Sequence, residues 1–194
     1  MSTVAIAAYG AGNIASVTNA LERLGVKAIL ASDSDTLSRA DKVIFPGVGH
    51  AGQAMAMLRQ RQMVEAIRTF DRPLLGICLG MQMLGTYSEE GSTKGIGNFD
   101  FEVKRFNTTL KVPHMGWNSI ANPTGKLFAG IPEETYFYFV HSYYVPQTPC
   151  TAATCRYDFA FSAAVEQGNT FGVQFHPEKS GDAGMQLLEN FLRL

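Results

Sequence analysis

The 194-residue chain is short of charge, of cysteine and of long apolar runs, and each shortage removes a class of protein. Charged residues make up 17 % and the formal net charge is −1. Neither nucleic acid nor an anionic membrane finds an electrostatic handhold here, and no basic run supplies one locally. No run of about 18 apolar residues exists, so nothing is expected to span a bilayer as a helix. The opening MSTVAIAAYGAG lacks a positively charged start and reads as a first buried strand rather than a leader. Three cysteines, Cys78, Cys150 and Cys155, form an odd set without paired spacing, which fits free thiols in a reducing cytoplasm. Cys150 and Cys155 have no second pair of ligands to complete a zinc knuckle, so no metal and no cofactor is expected.

Apolar residues are plentiful at 46 %, enough for the core of one domain over residues 1–194. The first half alternates strand-like and helix-like segments. VAIAAY (4–9), KAILAS (27–32), KVIFPG (42–47) and PLLGIC (73–78) are short runs that read as buried strands. Ile14, Val17, Leu21 and Leu24 recur at helical spacing with Gly25 closing the segment, a second helix is expected over about 51–70, and a third runs from the cysteine through Leu84. Strands buried on both faces and separated by helices imply a largely parallel sheet with right-handed crossovers. After residue 100 the chain turns aromatic and β-branched: FEVKRF (101–106), TYFYFVHSYYV (135–145), TAATCRY (151–157), FSAAVEQ (161–167) and TFGVQF (170–175), with QGN (167–169) as a hairpin turn. A final helix is expected over 181–192. The fold class is therefore α/β, with antiparallel strands added in the second half.

GICLG (76–80) has the layout of a nucleophile elbow with cysteine at its centre. A strand turning directly into a helix strains the central residue and crowds the positions two away, which Gly76 and Gly80 relieve. The helix N-terminus then faces the sulfur with free N–H groups, and the Leu79 N–H can donate to an oxyanion. VQFHPE (173–178) places His176 and Glu178 two apart at an expected strand end, where alternation puts both on one side and lets Glu178 orient the imidazole. Cys78, His176 and Glu178 make a triad hypothesis.

YGAGNIA (9–15) competes with it. Gly10, Gly12 and Ala15 follow a strand and open a helix, with Asp33 and Asp35 about 20 residues on, the pattern of a dinucleotide-binding turn. A nicotinamide-dependent oxidoreductase is the alternative of a different class. His50 and His114 lie in glycine- and proline-rich turns and are expected to bond structurally, and Met81 and Met83 to fill core gaps.

GICLGMQ and FHPE resemble the class I (triad) glutamine amidotransferases, and the likeness runs nearly end to end. FPGVGHAG (45–52), VPHMGWN (112–118), FVHSYYV (139–145) and QFHPEKSG (174–181) are similar to one branch, the glutaminase subunits of histidine biosynthesis. The resemblance implies a flavodoxin-like sheet and hydrolysis of L-glutamine to glutamate and ammonia through a Cys78 thioester. It implies an oxyanion strand at Gly47, Val48 and Gly49, with Leu79 as second donor. Gln82 and Glu90 would bind glutamine, Glu90 through its α-amino group, and the backbone of His141, Ser142 and Tyr143 would meet its α-carboxylate. The partner would be a (β/α)₈ cyclase subunit in a 1:1 heterodimer, met by Asn13, Trp117, Tyr136 or Tyr138, and Lys179. A glutaminase subunit of another amidotransferase, or a free γ-glutamyl hydrolase, would share the triad without that partner.

Overall fold

A computed structural model describes residues 2–194. Its first half comprises β1 (Val4–Ala7), α1 (Ile14–Arg23), β2 (Ile29–Ala31), α2 (Ser34–Ser38), β3 (Lys42–Gly47), α3 (Ala51–Gln60), α4 (Met63–Arg68), β4 (Leu74–Cys78) and α5 (Leu79–Met83). Then come β5 (Tyr87–Ser88), β6 (Thr93–Lys94), β7 (Glu102–Arg105), β8 (His114–Ala121), β9 (Tyr136–His141), β10 (Tyr143–Tyr144), β11 (Thr151–Tyr157), β12 (Phe159–Gln167), β13 (Thr170–Val173) and α6 (Gly181–Leu192).

Nine strands form one sheet in the order β2-β1-β3-β4-β13-β12-β11-β8-β9. Pairing is parallel from β2 through β13 and antiparallel beyond. Alternate residues feed opposite cores. Val4 and Ile6 pack with Val17 and Leu21 of α1 and Leu188 and Phe191 of α6, whereas Ala5 and Ala7 pack with Met55, Leu58, Met63 and Ile67 of α3 and α4. Helices therefore cover both faces, as the apolar runs of a parallel sheet require. A second sheet, β10-β7-β5-β6, lies apart from the first.

This topology positions the site. β4 and β13 are parallel neighbours with Val173 opposite Ile77, and β3 flanks β4 with Gly47 opposite Cys78. The carboxyl ends of three strands converge, the place where open α/β sheets bind ligands.

Several sequence expectations need correction. The run 27–32 is not buried: Ile29 and Leu30 are exposed, because β2 is the sheet's edge strand. The helix expected over 51–70 is two helices, broken where Gln62 takes a left-handed φ of 57°. Segment 135–145 is two strands in two different sheets, parted at Ser142. His114 is not in a turn but begins β8, the long strand that pairs with β9. The short β13 stops at Val173, so His176 and Glu178 do not share a strand face; Glu178 stands on a single 3₁₀ turn, Pro177–Lys179.

Candidate active site

Cys78 ends β4 and caps α5 with φ 56° and ψ −113°, a backbone that non-glycine residues rarely adopt and that costs on the order of 1–3 kcal/mol. The flanking glycines make it possible. A Cβ on Gly80 would run into the Phe45 carbonyl, and one on Gly76 would lie 2.8 Å from Met81 N. The bend leaves Sγ on a cavity of about 290 Å³, bordered on one side by Val48, Gly49 and Leu79 and on the other by His141, Ser142 and Tyr143. His176, Gln82 and Glu90 complete much of the wall, and Pro113 and Val140, which lie within VPHMGWN and FVHSYYV but were assigned no role, line it too. Leu79 opens α5, so its N–H has no acceptor within the helix. Gly47 is not on the wall; its Cα packs against α5, where a Cβ would come 2.6 Å from Gly80 N.

His176 is buried, and its Nδ1–H donates to Glu178 Oε1 at 2.8 Å. The 3₁₀ turn swings the carboxylate back under the ring, and Asn13 Nδ2 donates to the same oxygen at 3.2 Å. Asn13, expected at an interface, therefore supports the acid from the first glycine loop. Among the described residues neither His176 Nε2 nor Glu178 Oε2 finds a hydrogen-bond partner. Nδ1 is committed and Nε2 is left for proton transfer on the cavity it shares with Sγ. Burial opposes a charged His176 ring, but the Cys78 sulfur beside it and the Glu178 carboxylate bonded to it outweigh that cost and raise the pKa to about 10. These neighbours favour the protonated ring.

Gln82 is buried, and its Nε2 donates both to the Tyr143 carbonyl (2.9 Å) and to Gln174 Oε1 (2.8 Å). Glu90 stands at the cavity, with Oε2 accepting the Ala51 N–H at the start of α3 (2.8 Å). Its neighbour Glu89 points elsewhere, to the Arg105 N–H and Lys104. The His141 ring does not open to the cavity as a charged group. Burial first of all, with His114 and His176 nearby, holds its pKa down to about 3 despite the bond from Nδ1 to the Tyr143 carbonyl (2.7 Å). Burial likewise lowers His114 to about 4. His50 caps α3 by accepting the Gly52 N–H.

Of the interface candidates, Trp117 and Tyr136 are 55 % and 58 % exposed. Trp117 pairs with Tyr138 across β8 and β9, edge to face at 6.2 Å, and strand alternation puts Tyr136 and Tyr138 on that same outer face. Lys179 is exposed on the 3₁₀ turn. The strand and the turn are tied: the His176 N–H donates to the Tyr138 carbonyl (2.9 Å) and the Tyr138 N–H to Ser180 Oγ (3.0 Å). The competing glycine loop is otherwise employed. A Cβ on Gly12 would press on the Pro46 carbonyl at 3.1 Å, and the Asp33 carboxylate caps α2 through the Thr36 N–H. Asp35, the other candidate acid, stands exposed within the short α2.

A thiol at a strand-to-helix elbow, with an imidazole and a carboxylate behind it on a doubly wound sheet, defines the class of thiol-dependent acyl-transfer enzymes. The family model for glutamine amidotransferase class-I matches residues 6–194, and the chain belongs to that family. It is 50 % identical over 194 residues to "Imidazole glycerol phosphate synthase subunit HisH" of Bacteroides fragilis (strain YCH46), covering 98 % of this chain and 99 % of that one. The protein of the same name from Yersinia pestis matches at 50 % identity with the same coverage. Among solved structures, one described as a glutamine amidotransferase superposes with a TM-score of 0.78 at 20 % identity, over 98 % of this chain and 97 % of that one. PurLQS from Thermotoga maritima superposes with a TM-score of 0.74 at 18 % identity, over 100 % and 99 %. These structural likenesses bear on the fold: an α/β, flavodoxin-like glutamine amidotransferase architecture. As for membranes, no helix among the described residues is long and apolar enough to cross one.

Proposed function

We propose that this chain is the glutaminase subunit of an imidazole glycerol phosphate synthase. As a single domain over 1–194, it hydrolyses L-glutamine to glutamate and ammonia in the cytoplasm and hands the ammonia to a (β/α)₈ cyclase subunit in a 1:1 heterodimer, in histidine biosynthesis. Near-full-length identity of 50 % to proteins bearing the HisH name supports the substrate and the partner. The observation that carries the chemistry is the strained Cys78 sharing one cavity with a His176 whose only unengaged nitrogen is Nε2.

The steps follow from that arrangement. Cys78 Sγ passes its proton to His176 Nε2 and attacks the side-chain carbonyl carbon of glutamine, and the developing oxyanion is met by the Leu79 N–H and a peptide N–H of the 47–49 segment. Each such donor contributes about 2.7–4 kcal/mol to the transition state. As the carbon–nitrogen bond breaks, His176 Nε2–H protonates the leaving nitrogen, and ammonia departs from the thioester. A water then attacks the thioester; His176 Nε2 takes its proton and returns it to sulfur as glutamate leaves. Glu178 keeps Nδ1–H in place throughout. Gln82, Glu90 and the backbone of 141–143 hold the amino-acid end of the substrate.

Partner binding has a short mechanical route to this site. Trp117, Tyr136 and Tyr138 face outward, and the Tyr138 backbone holds both His176 and Ser180. The test is glutamine hydrolysis by the chain alone and with a cyclase subunit and its ligand. The reading expects weak turnover alone, rising many-fold in the complex. Full turnover by the isolated chain, unaffected by the cyclase, overturns it in favour of a free γ-glutamyl hydrolase.

A further inference from the structure

The Gln174 side chain is fully buried, yet no step above uses it. Its place is fixed by hydrogen-bond logic rather than by shape alone. The Arg156 carbonyl can only accept and the Ser119 N–H can only donate, so Asn118 must present Nδ2 to the first (3.0 Å) and Oδ1 to the second (2.9 Å). Nδ2 then also donates to His114 Nε2 (3.2 Å), which leaves the proton on His114 Nδ1 to donate to His141 Nε2 (2.9 Å). His141 Nδ1–H in turn donates to the Tyr143 carbonyl. That same carbonyl accepts from Gln82, so the Gln82 atom facing Gln174 is Nε2, and the Gln174 atom receiving it is Oε1. What remains of the Gln174 amide is Nε2, a donor, and it lies 3.7 Å from Cys78 Sγ. The thiol's own acceptor is the Val140 carbonyl at 3.8 Å.

The geometry points to Gln174 as a further residue acting on the reacting sulfur: its buried N–H stabilises the Cys78 thiolate, and Gln82, itself fixed by the Tyr143 carbonyl, keeps that N–H from flipping away. The inference rests on the reading of Cys78 as the nucleophile. As a thiol, Sγ donates to Val140 and accepts weakly from Gln174. Once the proton leaves, the Val140 carbonyl has nothing to accept and faces a negative charge, while the Gln174 bond becomes charge-assisted. Gln174 thus favours the thiolate over the thiol.

The test is the rate of Cys78 alkylation by iodoacetamide in the free chain against pH, followed on the Cys78 peptide by mass spectrometry so that Cys150 and Cys155 do not interfere. Gln174→Met keeps the length and removes the donor. Its alkylation at neutral pH should be about 5- to 10-fold slower, with the midpoint moved upward and the high-pH plateau unchanged. Gln174→Glu still accepts from Gln82 but turns an oxygen toward sulfur, so its midpoint should move at least as far. It is read even if the methionine variant folds poorly. A pH curve that superimposes on the parent's in a folded variant overturns the inference. So does a lowered plateau with an unmoved midpoint, which marks a merely structural role. Alkylation reads the sulfur whatever the substrate is, so this result stands apart from the glutaminase assay.

Discussion

Replacing Glu178 by Gln changes one atom's chemistry and almost nothing of shape. The glutamine Oε1 can still accept the His176 Nδ1–H, but the negative charge that balances the ring is gone. His176 is held at about 10 against the cost of burial by Cys78 and Glu178 together. Removing one partner from a buried charge pair costs about 3–5 kcal/mol, which at about 1.36 kcal/mol per unit lowers the ring by roughly 2–4 units. The variant's His176 should then titrate between roughly 6 and 8. The assay is an NMR titration of ¹³C-labelled histidine rings. It is uncrowded, because the chain has four histidines and burial holds His114 and His141 at about 4 and 3. Stability follows the same sign. A ring raised above its unfolded value of about 6.5 contributes fully below that pH and loses its contribution as pH rises through about 10. The parent should lose stability between those limits, and Glu178→Gln should lose less. A parent His176 titrating near 6.5, or an unchanged midpoint in the variant, refutes the ion-pair account of the resting site.

Acid should attack elsewhere. His141 is buried neutral with its pKa near 3, so the unfolded chain binds the extra proton below pH 6.5, and stability falls by up to about 1.4 kcal/mol per unit on acidification; His141→Gln should flatten that slope in urea titrations. Gly80→Ala forces a methyl group into the Phe45 carbonyl and should cost about 3 kcal/mol or more, read as a fall in urea midpoint; a variant as stable as the parent contradicts the elbow geometry. Trp117→Ala removes the most exposed aromatic anchor of β8 and should weaken the complex with the cyclase by about 2 kcal/mol, roughly 30-fold in Kd, while leaving the thermal midpoint of the free chain in place.

The parallel half of the fold was legible because β1, β3 and β4 are buried on both faces and so carry unbroken apolar runs, with Gly25 and the Gly168 turn as punctuation. β8 was not, because HMGWNSIA buries only His114 and Ile120, and its other side chains are polar, glycine or exposed. The break at Gln62 carries no glycine or proline, so nothing local announced it. The second sheet is built largely from two-residue strands, too short to show a period. The site divides in the same way. Cys78 announced itself through the glycines its backbone needs, whereas Gln174 looked like one more position in an aromatic strand, since a buried amide's role lies in which of its atoms faces which neighbour. Glu178 was found by motif but for the wrong geometric reason: a 3₁₀ turn, not strand alternation, brings its carboxylate to His176.

The central claim is that Cys78 does the chemistry on glutamine and nothing else in the synthesis. The most direct measurement is product formation by the complex of Cys78→Ala with the cyclase subunit, fed glutamine in one arm and ammonia in the other. Glutamine-dependent synthesis should vanish while ammonia-dependent synthesis continues at the parent's rate. Synthesis that still runs on glutamine in that variant contradicts the account.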